Sequence, residues 1–289
     1  MYSSQDPNDL YDTPRRSRSS QRRRKRRSPL PKLFAAGILL GLAIFFLPRI
    51  YEGFHSAPQL PQTLTDELKA LADSQPEAQP LLDHPGRYPE ALLELAARNP
   101  EALDFVLDYP QKKDEPAAKT VGEVQQGTFP QLLQWDERWG YQTYGDGLMG
   151  LTGCGPTVLS MAVCGLTGDN TITPWVVAQY AQEAGWYVDG SGSSWDLMRE
   201  GCRHYGLEAE ELPLDEGIVT RELKNGHPVI CSMGPGDFTT SGHFILLTGM
   251  EDGQICLNDP NRPSNSEKRW NFDTLAPQIR NLWACSPVE

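Results

Sequence analysis

Basic side chains are scarce over most of this chain. Residues 50–289 hold 15 Lys and Arg against 35 Asp and Glu, a charge of −20. Such a surface repels a phosphate backbone, so nucleic acid is no partner. The six cysteines, at 154, 164, 202, 231, 256 and 285, are widely spaced, mostly inside apolar periodic stretches, with no CxxC pair among them. That spacing carries no zinc-site signature and no disulfide framework. One glycine-rich loop exists, Asp189-Gly190-Ser191-Gly192-Ser193-Ser194-Trp195. It has no nucleotide-loop Lys and follows no clear strand, which argues against phosphate binding. No metal and no organic cofactor is implied.

Long apolar runs are equally few. The one clear case, Leu33 to Leu47, carries no charge and follows the basic run Arg22 to Arg27. Residues 1–49 total +8, which with −20 gives the net −12. A basic flank before an apolar segment reads as a membrane anchor with its N-terminus in the cytoplasm. At 1.5 Å per residue the run spans only ~23 Å, short for a bilayer, but Lys32 and Arg49 can snorkel at its ends. No small-x-small cleavage site lies between Pro48 and Pro61, so the segment is expected to be retained rather than removed as a signal peptide. The expected organisation is a disordered basic tail at 1–32, a transmembrane anchor at 33–51 and a linker at 52–62. A small helical segment at 63–109, a linker at 110–127 and a main domain at 128–289 follow. The main domain is expected outside the cell membrane. Nothing in the pattern fixes an oligomeric state.

Within 63–109, Pro89-Glu90-Ala91-Leu92 and Pro100-Glu101-Ala102-Leu103 repeat one helix start, eleven residues apart. Proline and an acid suit the positive first turn of a helix. The main domain opens with helical patterns: one after Cys154 with Gly165 as its stop, one from Pro174, one from Trp195 and one from Asp215. The period then becomes that of strands, at 227–233, 243–250, 254–258 and 282–286. Glu251-Asp252-Gly253 forms a hairpin turn between the second and third. Helices first and antiparallel strands after define an α+β domain.

Thr152-Gly153-Cys154-Gly155-Pro156-Thr157 places a thiol at the start of a helix, where free N–H groups and the dipole favour the thiolate. A thiol nucleophile needs a base and a group to orient that base. Of the five histidines, His55 and His84 lie outside the main domain, His204 ends a helix and His227 precedes Pro228. His243 alone follows a polar loop, Thr239 to Gly242, and opens an apolar strand. Asp259 ends the strand that the hairpin returns beside His243, within reach of its imidazole. Gln134, 20 residues before Cys154, can share an oxyanion with the Cys154 backbone N–H. Trp135, Trp139, Trp195 and Phe238 are candidates to line a cleft.

The order Gln, then Gly-Cys-Gly-Pro, then Gly-His-Phe, then Asn-Asp-Pro resembles the bacteriocin-processing (double-glycine) peptidase-like family, a papain-like cysteine peptidase group. The stretches QWDERWGY, GLTGCGPTVLSM, GSGSSWDLM, GDFTTSGHFILLTG and CLNDPN carry the resemblance over roughly residues 128–286. It implies a papain-like fold, a helical half followed by an antiparallel sheet, here preceded by one transmembrane helix and the small helical segment. It implies Cys154 as nucleophile, His243 as base, Asp259 as its partner and Gln134 as oxyanion donor, with a peptide or cell-wall peptide as substrate. The processing peptidases carry their Gln only a few residues before the Cys and are fused to a transporter. This chain has a longer gap and no nucleotide-binding signature, so cleavage after a double glycine does not carry over. A cell-wall amidase of the CHAP type or a transglutaminase would use the same three residues. A binding module that keeps the fold without activity is the remaining alternative, and an intact Cys/His/Asp set weighs against it.

Overall fold

The computed structural model describes residues 60–288. Four helices come first: α1 (Gln62–Ser74), α2 (Gln79–Asp83), α3 (Glu90–Arg98) and α4 (Leu103–Lys112). The repeated Pro-Glu-Ala-Leu starts resolve differently. Pro89 caps α3 from outside, whereas Pro100 opens a 3-10 turn that leads into α4. Leu68, Leu81, Leu92, Leu93, Ala96 and Val106 form the core of this bundle, and Tyr141 of the main domain belongs to the same cluster. The helical segment therefore shares its core with the main domain, and α4 continues three residues past its expected end at 109.

A short hairpin, β1 (Thr143–Tyr144) with β2 (Gly147–Leu148), leads through one helical turn, α5 (Met149–Thr152), into α6 (Cys154–Thr167). Nearly every residue of α6 is buried, so it is the central helix of the domain. Gly165, expected to end this helix, lies inside it, because the Phe129 ring occupies the place of a side chain there (2.2 Å from an ideal Cβ). The stop is Gly168, whose φ of +75° suits glycine and whose N–H returns to the Cys164 carbonyl.

Thr173 caps α7 (Pro174–Glu183) through its hydroxyl, which accepts from the Val176 N–H at 3.2 Å. The glycine-rich loop is the turn of a small hairpin, β3 (Tyr187–Val188) with β4 (Gly192–Ser193), and α8 (Asp196–His204) follows. Strand β5 (Leu207–Glu211) comes next and was not expected, but the other four strands of the main sheet follow the long helices, as expected. Asp215 caps α9 (Glu216–Lys224). Then come β6 (Val229–Met233), β7 (His243–Glu251), β8 (Gln254–Asn258), the single turns α10 (Pro263–Ser266) and α11 (Phe272–Leu275), and β9 (Ile279–Pro287).

The five main strands form one antiparallel sheet in the order β5-β9-β6-β7-β8. Its side chains alternate between two cores. Ile230, Phe244, Leu246 and Trp283 pack with α6, while Val229, Cys231, Ile245 and Leu247 pack with Val219 and Leu223 of α9. The domain is thus α+β, a sheet held between helices on both faces.

The expected architecture needs one correction. No helix among the described residues is long and apolar enough to cross a membrane. The most buried, α6, has 14 residues, about 21 Å at 1.5 Å per residue. A transmembrane helix is therefore no part of the fold described, and the residues on which it was expected, 33–51, lie outside the described ones.

Candidate active site

Cys154 stands where Gly153 turns the chain from α5 into α6. A Cβ on Gly153 would lie 2.5 Å from the Met149 carbonyl, and one on Gly155 would lie 2.5 Å from Ser193 Oγ. Both neighbours of the cysteine therefore have to be small. As the first residue of α6, Cys154 has an N–H with no acceptor within its own helix. The other five cysteines are also free thiols. Burial pushes Cys164 up to about 11 and raises Cys231, and Cys202 is raised by its neighbour Cys285 and by burial. None of these four lines the cavity onto which Cys154 opens.

His243 opens β7 opposite Met233 of β6 and is buried. The hairpin through Asp252 (φ 49°) and Gly253 (φ 81°) brings β8 back beside β7, so Asn258 pairs with Leu246 and Asp259 follows directly. His243 Nε2 lies 2.8 Å from Asp259 Oδ1. That carboxylate is held on every side. Oδ1 also accepts from the Asn261 N–H at 2.8 Å, Oδ2 accepts from Asn265 Nδ2 at 2.8 Å, and the Asp259 N–H donates to Ser266 Oγ at 2.9 Å.

Burial alone would push the His243 imidazole down. The charge and hydrogen bond of Asp259, with the Cys154 sulfur also beside the ring, outweigh it and raise His243 to about 10. Asp259 mirrors this: burial would raise it, and His243, Asn265 and the Asn261 N–H hold it below the usual carboxylate range. The carboxylate and the sulfur both favour the protonated form of the ring, which is what a base that takes a proton needs. This arrangement can keep a proton that leaves a thiol and return it to a leaving group.

Cys154, His243 and Gln134 all line one open cavity of about 490 Å³. Gln134 is anchored twice, by its N–H to the Pro260 carbonyl at 2.8 Å and by Nε2 to the Gly150 carbonyl at 3.0 Å. One amide hydrogen of Nε2 is thereby committed and one remains. Of the aromatic candidates, only Phe238 reaches this cavity. Trp139 is fully buried with its indole N–H on the Leu133 carbonyl. Trp195 is half exposed, donating to Ser232 Oγ, and Trp135 donates to the Asn261 carbonyl. His227 is tied to Glu222 at 2.9 Å, and His204 stacks on Tyr180.

Two features of the site carry no clear sequence signal. Asn265 sits in the polar Ser-Asn-Ser of the turn α10, where nothing in the sequence marks it as a carboxylate partner. One wall of the cavity comes from α3 and Asn99, which precede the main domain.

The sequence profile of the Peptidase C39-like family matches residues 127–285. That is more than half of the chain, and the chain belongs to this family of cysteine peptidases. Among solved structures it is similar to the peptidase domain of Streptococcus ComA, described as a bi-functional ABC transporter involved in a quorum sensing pathway. The identity is 18% and the TM-score 0.38, over 47% of this chain and 93% of that one. It is also similar to a C39-like peptidase from Bacillus anthracis, at 14% identity and a TM-score of 0.37, over 58% of this chain and 99% of that one. No curated protein matches the chain.

Proposed function

We propose that this protein is a thiol hydrolase that cleaves peptide bonds. The imidazole of His243, set between Asp259 and the Cys154 sulfur in an open cavity, carries that reading. His243 takes the Cys154 proton through the ring nitrogen not engaged by Asp259, and the sulfur attacks the substrate carbonyl. The Cys154 N–H and the uncommitted Gln134 amide hydrogen hold the oxyanion. His243 then gives its proton to the departing amine as the C–N bond breaks, leaving a thioester. Water, deprotonated by His243, attacks the thioester, and the thiol is restored with release of the carboxylic acid. Asp259 stabilises the imidazolium at each stage and fixes the ring's orientation.

The test pairs labelling with turnover in the full chain. Iodoacetamide at neutral pH is expected to modify Cys154 first, read by mass spectrometry, with Cys164, Cys202, Cys231 and Cys285 protected by burial. His243→Ala should slow Cys154 labelling strongly. Cys154→Ala should abolish hydrolysis of a peptide library, and Gln134→Ala should lower kcat by ~10²-fold, as loss of an oxyanion donor does. Release of stem peptides from peptidoglycan fragments with no cleavage of free peptides would select the amidase alternative. Equal ligand binding by wild type and Cys154→Ala, with hydrolysis by neither, would select the inactive binding module.

A further inference from the structure

The cavity has a wall that the catalytic half of the chain does not encode. Ala91, Glu94, Leu95 and Arg98 of α3 line it together with Cys154 and His243. Positions 91, 95 and 98 recur at i, i+4 and i+7, so they share one helix face, and 94 lies beside them. The opposite face buries Leu92, Leu93 and Ala96 in the bundle core. A solvent face of a helix is normally polar throughout. Here Ala91 is exposed and Leu95 only partly covered. Glu94 and Arg98 are paired with each other at 3.2 Å, which cancels their charge. What α3 turns to the cavity is thus an apolar strip beside a self-neutralised ion pair.

The wall is fixed to the machinery rather than leaning on it. Asn99 Nδ2 donates to the Asn261 carbonyl at 2.8 Å, and Arg262 Nη2 donates to the Arg98 carbonyl at 2.8 Å. The Glu101 carboxylate accepts from the Ser264 N–H at 2.9 Å and from Ser264 Oγ at 2.7 Å. All three ties run to the loop that begins at Asp259. The family match starts at residue 127, so the wall lies outside the matched domain.

We infer that α3 is the specificity wall of the cleft. It seats an apolar substrate side chain, of leucine or phenylalanine size, against Leu95. This role rests on the peptidase reading, and the occupant is the peptide chain that must cross this cavity to reach Cys154. Leu95 is a binding residue here, and no proton passes through it.

The experiment uses peptidyl acyloxymethyl ketones, electrophiles that label a thiol without needing hydrolysis. Each series varies one residue among Leu, Phe, Ala, Asp and Lys, at successive positions. Each labelling rate of Cys154 is divided by the same variant's iodoacetamide rate. Wild type is expected to favour Leu or Phe over Ala and Asp by ~10-fold or more at one position, the size of effect that apolar pocket contacts produce. Leu95→Ala should shrink that ratio several-fold, and Leu95→Lys should turn the preference toward Asp, a gain that misfolding cannot mimic. Identical normalised profiles in wild type, Leu95→Ala and Leu95→Lys would overturn the inference even if peptides are cleaved. The expected profiles with no cleavage of the matching peptide amides would sustain the wall and defeat the peptidase reading instead.

Discussion

The side-chain amide of Asn99 donates to the backbone carbonyl of Asn261, 2.8 Å away and 162 positions along the chain. The N–H of that same Asn261 donates to Asp259 Oδ1, which holds His243. One residue of the helical segment is therefore two hydrogen bonds from the carboxylate of the site. The Asn99 side-chain oxygen is buried with no partner among the described residues, so its nitrogen supplies the whole polar link.

Asn99→Ala is expected to lower kcat more than it raises KM, because it loosens a positioning residue while the wall keeps its other two ties, Arg262 to Arg98 and Ser264 to Glu101. The loss of one buried hydrogen bond should cost about 1–2 kcal/mol of stability, seen in urea unfolding. Asn99→Asp should be worse, since it faces a carboxylate with a carbonyl. A variant with unchanged kcat and a raised KM would place Asn99 in the wall only.

Asp259 and Asn265 invite an exchange. Asp259→Asn alone turns an amide nitrogen toward the Asn265 amide if its oxygen stays on His243. The single variant should lose about 1–3 kcal/mol, the cost of buried polar groups left unpaired. Adding Asn265→Asp restores a donor–acceptor pair and should recover much of that stability. It should not recover kcat, because the negative charge no longer touches the imidazolium. Thermal unfolding and kcat of the two singles and the double decide this. Equal recovery of both quantities would mean that the charge on residue 259 does not matter.

The charged pair also fixes how stability varies with pH. His243 is raised from its ordinary 6.5 to about 10, so its contribution is complete below pH 6.5 and is lost as pH climbs toward 10. Asp259 is lowered from its ordinary 3.8, so its contribution is complete above that value and is lost as pH falls through the lower folded one. The difference in Tm between wild type and His243→Gln should therefore be largest between pH 4 and 6.5 and should shrink on going to pH 10. A difference that grows over that alkaline range would show the ring to be neutral in the folded protein.

Much of the site is legible in the chain because local chemistry sets it. Glycine on either side of Cys154 and proline two residues on announce a crowded helix start. Asp252-Gly253 announces the turn that carries Asp259 back to His243. Other features lack such signals. β5 reads Leu-Glu-Ala-Glu-Glu, an acidic edge strand in which only Leu207 and the small Ala209 turn inward, too little alternation to stand out. Gly165 looks like a stop because a glycine that makes room for the distant Phe129 ring is indistinguishable, in sequence, from one that ends a helix. The apolar face of α3 shows that something must cover it, but periodicity cannot say that a cleft does. The tie from Asn99 to Asn261 spans too many residues for any local pattern to register.

The strand order has a consequence for biosynthesis. β9 is the last strand of the sheet to be made, yet it lies between β5 and β6. A ribosome working at ~5–20 residues per second needs roughly 4–18 s to pass from Cys154 to His243. Until then the sulfur has no imidazole beside it, and the sheet that presents the imidazole stays unfinished until residues 279–287 insert into its middle. Until residues 279–287 have been made, the nascent polypeptide therefore lacks the completed sheet on which the proposed hydrolysis depends.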